Sequence, residues 1–480
     1  CLIFFLNIKQ MVMNKIFYDF ETSGLDKWYD IPLDGAFILT DENLNKLDEY
    51  SFKIALPTGL MPSPIGLLVN KADLNTIFDG PLYFDAMADL HKKLSSWGPA
   101  CYIGMNNINF DEHFMRQGFY KSMQDVYLTN TNGNTRADLL PILHCVKKLS
   151  PNALSFPETE DKEPIFKLDQ VAPLNGFEHN AHNSMGDVIA TIQISKIIQE
   201  RCPTIWQSAL ECNSKLNVKQ KAESMIAFCY GTYNFKRQAD FGIYTLVGFS
   251  SLKGHEHEML VFDLTHDLEA YNDASMEDMQ KLVRSKDSPF RVIKINNSPI
   301  LLPSSYASLV VEDGVEEKIY LEKALELNSN YNFRANSIKA LENTTKKYPA
   351  SSILEKQIYS GFVQPEDKAI IAEFLESFWE DKFHIAKHFK DPRMKEIAHL
   401  MIYHHKPEAL PNDIRQQIAV RLAKRVTAPS CKEWRTGDDA MREIERARDR
   451  FLYEKEDLDR MESFTKSLIQ KHNNIIKENL

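Results

Sequence analysis

Hydrophobic and polar positions divide the chain into three stretches of different rhythm. From about residue 14 to 201, short apolar runs alternate with segments whose apolar residues recur at helical spacing. Lys15–Thr22 reads as a strand. It is followed by a loop, GLDKWYDIPLDG, then by a strand at AFILTD and a third at Glu49–Leu56. Phe84–Trp97 has near-helical spacing, Cys101–Asn107 reads as a strand, and Asp111–Tyr120 reads as a helix. In Ser184–Ile198, the residues Met185, Val188, Ile189 and Ile192 fall on one helical face. Such alternation predicts an α/β domain around a mixed sheet.

The rhythm changes after Arg201. Between about 226 and 345 the short apolar runs MIAFCYG, FGIYTLVGF, EMLVFDL and RVIKINNSPILLP are separated by turn-forming residues, predicting a small β-rich domain. From Ser351 onward the pattern is helical and charged, punctuated by Pro365, Pro392, Pro407, Pro411 and Pro429. Arg442–Glu478 alternates opposite charges at helical spacing, the mark of a solvated helix face. The expected boundaries are 14–201, 202–350 and 351–480. Residues 1–13, with the apolar run CLIFFL ahead of Met11 and Met13, are expected to be a non-native or disordered extension. That run is too short to span a bilayer and lacks the flanks of a signal peptide.

Composition narrows the class. With 480 residues, 43% hydrophobic and 26% charged, the chain is an ordinary multidomain globular protein. A net charge of −10 disfavours a generic nucleic-acid coat or a polybasic membrane binder, but leaves open an enzyme whose contacts are local. Seven scattered cysteines without a C-x-x-C pair argue for a reducing compartment and against a zinc site. No segment reaches membrane-spanning length, so a cytoplasmic location is expected.

The chemistry begins with IFYDFET, residues 16–22. Alternation puts Phe17, Asp19 and Glu21 on one face of the strand and Ile16, Tyr18 and Phe20 on the other. Two carboxylates side by side repel, and they are tolerable only with exposure, a proton or a cation between them. Taken alone, the stretch fits an edge strand showing its acids to water. Further acids change that reading: Asp111 stands at a strand-to-helix junction, and Asp187 lies on a helix five residues after His182. Singly, each has a plain structural explanation as a cap, a solvated helix acid or a core histidine.

Together, Asp19-x-Glu21, Asp111 and His182-x4-Asp187 resemble the DEDDh family of 3′→5′ exonucleases. Asn183 occupies the position where a related branch carries Tyr. In-line phosphodiester hydrolysis needs an acidified water and a neutralised leaving oxygen, which two divalent cations about 4 Å apart supply. Hard, oxygen-preferring Mg²⁺ or Mn²⁺ calls for carboxylate ligands. The resemblance implies that Asp19 bridges both ions, that Glu21 and Asp187 help hold one, and that Asp111 serves the other. It makes His182 the general base.

The words YDFETSG, IGMNNINFDEHFMR, RADLLPIL, FKLDQVAPLNGFEHNAHNSMGDVIATI and IYSGFVQPEDK further resemble bacterial exonuclease I, over nearly all of the chain after Met13. The resemblance implies an RNase H-like exonuclease domain, an SH3-like β-rich domain and an α-helical C-terminal domain around a groove for single-stranded DNA. It implies processive release of 5′-mononucleotides by a monomer acting in DNA repair or recombination. Matched substrate positions are Glu21, Arg116, Tyr127, His144, Phe166, Lys167, Tyr359 and Phe362. Phe166 is suited to stacking on a base and Lys167 to meeting a phosphate. At position 167 the family commonly has Arg, so a forked grip becomes a single point of contact. The family's other partner is the acidic C-terminal tail of single-stranded DNA-binding protein. Its basic patch is thin here, since Ser150 stands where Arg is usual, although Lys147 and Lys148 are near. The same carboxylates would serve an exoribonuclease or oligonucleotidase, and the fold alone would serve a catalytically silent single-strand-binding module. The two accessory regions argue against the first alternative, and the complete five-residue set argues against the second.

Overall fold

The computed structural model describes residues 13–178, 183–271, 273–285, 288–346, 349 and 351–479. Its first sheet has the order β3-β2-β1-β4-β5, formed by Lys46–Lys53, Pro32–Thr40, Asn14–Thr22, Ala100–Gly104 and Thr135–Asp138. β1 is therefore central and not an edge. It runs antiparallel to β2 and parallel to β4. β2 begins at Pro32, inside the stretch expected to be loop, and β3 begins three residues before the expected Glu49.

Alternation along β1 feeds two separate cores. Phe17 points into a cluster with Ile38, Ile103 and Ala137, covered by the helices Leu139–Leu149, Leu168–Leu174 and Ser184–Arg201. Ile16, Tyr18 and Phe20 point the other way, to Phe37, Tyr102 and the helices Tyr83–Trp97 and Asp111–Lys121. Tyr18 stacks on Phe37 with ring centroids 5.5 Å apart. Burial on both faces fixes the register, because a one-residue slip would exchange the two cores. On the Ser184–Arg201 helix, Val188 and Ile192 are buried as the spacing predicts, but Ile189 is 43% exposed. The buried stripe passes instead through Ala190, Thr191, Ile194 and Ile198.

The second sheet is antiparallel, in the order β10-β6-β7-β8-β9, from Leu302–Pro303, Phe228–Tyr233, Ala239–Phe249, Glu258–Asp263 and Phe290–Lys294. The small β-rich domain expected to residue 345 also contains helices. Two helices, Glu317–Ser329 and Tyr331–Asn343, pack on β7 and bury Tyr320, Ala324, Leu327, Phe333, Ala340 and Leu341. A thin sheet needs its apolar face covered, and these helices cover it.

Beyond residue 351 the chain is helical, and its prolines act as starters as much as breakers. Pro365 and Pro392 open the helices Pro365–Glu376 and Pro392–His405, where a missing N–H costs nothing. This region docks on the first sheet's layer. Arg435 pairs with Asp30 at 3.0 Å, Gln117 donates to the Glu355 carbonyl at 2.7 Å, and the Gly59 N–H donates to His472 Nε2 at 3.0 Å. No helix among the described residues is long and apolar enough to cross a membrane.

Candidate active site

β1 and β4 are parallel, so both end on the same side of the sheet, and the chain leaving each end opens a crevice there. Asp19 and Glu21 lie at the end of β1. Across from them the helix Ser184–Arg201 begins with Asn183, whose side chain accepts from the Gly186 N–H at 3.1 Å. Asp187 sits in that helix's first turn, where the positive end of the helix dipole favours a carboxylate. Oxygen atoms of Asp19, Glu21 and Asp187 all lie within 4.8 Å of one another.

Asp111 opens the helix Asp111–Lys121, and its Oδ1 accepts the Phe20 N–H at 3.1 Å. That bond ties the junction acid to the backbone between Asp19 and Glu21. The loop delivering it is tightly specified. At Gly104 a Cβ would meet the Tyr18 carbonyl at 2.7 Å, and Asn106 has a positive φ of 60°. Buried Asp138 holds this loop by accepting the N–H groups of Asn106 at 2.8 Å and Ile108 at 3.2 Å.

Repulsion and burial leave a clear electrostatic signature. Burial, then the charges of Asp111, Asp187, Glu21 and Asp34, pushes Asp19 well above the ordinary carboxylate range. Glu21 is raised to about 8 by burial, then by Asp187, Asp34 and Asp111. Asp111 is raised to about 8 by burial, although the Phe20 N–H pulls it back. Acids that hold protons at neutral pH without a counter-charge give them up to a divalent cation. A half-buried trio of hard oxygen donors fits Mg²⁺ or Mn²⁺ and leaves a soft metal without its preferred ligands. The cluster is a metal-binding acidic site. His182 lies outside the described residues.

The other expected residues fall into two groups. Lys167 and Phe166 line a groove with Met105, Leu140 and Asp187, and Arg237 enters the same groove from the β6–β7 hairpin. Phe166 is a wall of this groove more than a free platform, since its ring packs 4.5 Å from His144, 5.0 Å from Tyr233 and 5.4 Å from Phe156. His144, another of the matched substrate positions, is buried beside this wall. The ring is 7% exposed, Nδ1 lies 2.6 Å from Thr232 Oγ1, and burial depresses its pKa to about 4, so it is neutral at physiological pH.

Arg116, Tyr127, Tyr359 and Phe362 come together where the helical region meets the first domain. The Arg116 guanidinium lies 5.3 Å over the Tyr127 ring, and Tyr127 stands 6.0 Å from Phe362. Trp28, in the loop that follows Glu21, lies 6.5 Å from Tyr359 and extends this aromatic row. Phe362 is 76% and Tyr359 45% exposed. Arg116 itself is engaged, donating to Glu112 Oε1 at 2.8 Å and Asn130 Oδ1 at 2.9 Å. Lys147 and Lys148 carry acidic partners, Glu158 at 3.2 Å and Glu312 at 3.3 Å, which thins the expected basic patch further.

Three residues escaped sequence reasoning. Asp34 and Arg237 have no motif of their own, Asp138 was not singled out within RADLLPIL, and only the register, the hairpin and the loop bring them to the site.

A mixed sheet whose central strand presents D-x-E beside an acid on the covering helix defines the class of α/β domains with a carboxylate-cluster cation site. Comparison narrows that class. Residues 353–468 match the family model described as the exonuclease I C-terminal domain. The chain is 25% identical over 410 residues to exodeoxyribonuclease I of Haemophilus influenzae, covering 79% of this chain and 84% of that protein. Its fold matches exonuclease I of Methylocaldum szegediense with a TM-score of 0.81 at 18% identity, over 95% of this chain and all of that one. It likewise matches Escherichia coli exonuclease I in complex with a dA16 oligonucleotide, with a TM-score of 0.80 at 21% identity, over 96% and 100% of the two chains. The chain is therefore similar in sequence to exodeoxyribonuclease I over most of its length and shares the exonuclease I fold.

Proposed function

We propose that this protein is a divalent-cation-dependent 3′→5′ exodeoxyribonuclease that degrades single-stranded DNA processively to 5′-mononucleotides. The observation that carries the reading is the trio Asp19, Glu21 and Asp187, with oxygens within 4.8 Å of one another on a rigid central strand and its covering helix. The relatives named exodeoxyribonuclease I, and the Escherichia coli structure holding a dA16 oligonucleotide, support it.

In this mechanism Asp19, Glu21, Asp111 and Asp187 would hold the cations, with Asp19 shared, Glu21 and Asp187 serving one and Asp111 the other. Bound Mg²⁺ or Mn²⁺ supplies an acidified water and neutralises charge on the leaving oxygen. β1 and the helix dipole keep the carboxylates aimed at a fixed point, so little reorganisation accompanies the reaction. His182 takes the proton of the attacking water. Lys167 and Arg237 meet phosphates along the groove, Phe166 forms its wall, and the row Trp28, Tyr359, Phe362 and Tyr127 offers faces on which successive bases stack. Arg116 holds Tyr127 in that row.

The first region, 14–201, is the RNase H-like nuclease. Residues 202–350 form the SH3-like domain with its two covering helices, and 351–480 form the helical domain. The protein works as a cytoplasmic monomer in DNA repair or recombination. Docking of the acidic tail of single-stranded DNA-binding protein is part of the proposal, on cations other than the paired Lys147 and Lys148.

The test offers purified protein free and 3′-blocked single-stranded DNA, duplex DNA and RNA, with and without Mg²⁺, beside Asp19→Ala and His182→Ala. Cation-dependent digestion of free single-stranded DNA, lost in Asp19→Ala, is expected. Equal digestion of RNA, attack on 3′-blocked DNA, or activity surviving Asp19→Ala overturns the reading.

A further inference from the structure

We infer that Asp34 is a fifth carboxylate of the cation site, a positioning residue that adds charge around the ions and fixes the helix carrying Asp187. This rests on the proposed cation site and goes beyond the four acids that the motif supplies.

Register is the first observation. In the β1–β2 ladder Asp34 stands directly opposite Glu21. Paired residues on adjacent strands share a face, with Cβ atoms roughly 5 Å apart, so the two carboxylates point to the same side of the sheet. On β3 the residue opposite Asp34 is Lys53. Asp34 thus faces Glu21 across the ladder, on the side of the sheet that carries the acids.

The second observation is a tether. Ser184 donates its hydroxyl to Asp34 Oδ1 in a short hydrogen bond. Ser184 is 2% exposed and is the first residue of the helix Ser184–Arg201, three positions before Asp187. Position 184 also follows the segment that contains His182 by two residues. One oxygen of Asp34 thus fixes the start of the helix, while its charge faces the trio. A plain structural role needs only a neutral acceptor for Ser184. A carboxylate in a site already crowded with four others costs stability in the metal-free protein, and a cation is what offsets that cost.

Asp34→Asn separates the two roles, because the amide keeps an oxygen for the Ser184 hydroxyl and loses the charge. Mn²⁺ binding is measured without DNA, by counting free Mn²⁺ with electron paramagnetic resonance, in the parent, Asp34→Asn, Ser184→Ala and Asp19→Ala proteins. One charge at roughly 8 Å from a divalent ion, in partly solvated surroundings, corresponds to about a tenfold change in affinity. Asp34→Asn is expected to weaken Mn²⁺ binding about tenfold and to raise the Mn²⁺ concentration for half-maximal DNA hydrolysis by the same factor. Ser184→Ala, which leaves the charge, shifts it less than threefold. Unchanged Mn²⁺ affinity in Asp34→Asn overturns the inference, as does a loss in Ser184→Ala equal to that in Asp34→Asn. Should the amide variant misfold, Asp34→Ser supplies the same comparison. A parent protein that binds no more Mn²⁺ than Asp19→Ala refutes the cation site itself, which is a separate outcome.

Discussion

Removing one acid from the site is expected to stabilise the metal-free protein while weakening its response to cations. Glu21→Gln keeps the shape and discards the charge. Folded Glu21 keeps its proton to about pH 8, whereas its ordinary value is 4.5. An acid raised in the folded state contributes full stability below its unfolded pKa and loses it as pH climbs toward the folded one. At pH 7 the gap above 4.5 is 2.5 units, worth about 3.4 kcal/mol at 1.36 kcal/mol per unit. Partial exposure of the site and solvent screening reduce this to about 2 kcal/mol. Glutamine has no such term. The assay is urea unfolding in EDTA, followed by circular dichroism at pH 4.5 and pH 7. Parent and variant should be nearly equal at the lower pH, and the variant should be more stable by about 2 kcal/mol at pH 7. Mg²⁺ should then stabilise the parent strongly and the variant weakly. A variant no more stable at pH 7 than the parent would show that Glu21 is not held against repulsion, and the electrostatic account of the cluster would fail.

Three further outcomes follow from the same geometry. Cation binding at pH 7 should release at least one proton, read by calorimetry in buffers of different ionisation enthalpy; the same apparent enthalpy in every buffer contradicts the raised values of Glu21 and Asp111. Phe362→Ala should weaken single-stranded DNA binding by about 1–3 kcal/mol with an unchanged salt slope, whereas Arg237→Ala should flatten the slope by about one phosphate, both measured by fluorescence anisotropy. His144, depressed to about 4, is neutral in the fold and takes up a proton only on unfolding between its ordinary 6.5 and that value. Stability should therefore fall as pH drops from 6.5 toward 4, and His144→Gln should remove that part of the slope in urea titrations.

The nuclease-like core was legible because its signals are local. Period-two alternation in IFYDFET separates the two cores correctly, and Asp111 and Asp187 each sit at a helix start that sequence alone marks. What escaped depends on partners far along the chain. Asp34 matters only because β2 returns antiparallel in the register that sets it against Glu21. Arg237 matters only because a hairpin from the second sheet reaches the groove. The helices of 317–343 were hidden in a stretch read for strands, although Tyr320, Ala324 and Leu327 already carry helical spacing. The burial of His144 was not legible either. A basic side chain reads as a solvent or phosphate contact until burial among Phe166, Tyr233 and Thr232 makes it neutral.

The position of β1 reconciles two properties that look opposed, a net charge of −10 and a polyanionic substrate. An acidic cluster on an exposed edge would repel phosphate, and its side chains could relax apart to lower their mutual repulsion. On β1 they have no such freedom. Antiparallel bonding to β2, parallel bonding to β4 and burial on both faces hold the backbone, while the Phe20 N–H holds Asp111 against it. The unrelieved repulsion is what raises Glu21 and Asp111 to about 8 and makes cations the preferred occupants of the space between the carboxylates. With the proposed cations in place, the local charge seen by a scissile phosphate would no longer be that of the chain. On the proposed reading the remaining grip falls to Lys167, Arg237 and the aromatic row, and net charge ceases to govern binding. A nuclease built this way depends on cations for affinity at its catalytic end and on stacking elsewhere. Removing the metal should therefore loosen the 3′ end of the DNA while leaving the strand held along the aromatic row.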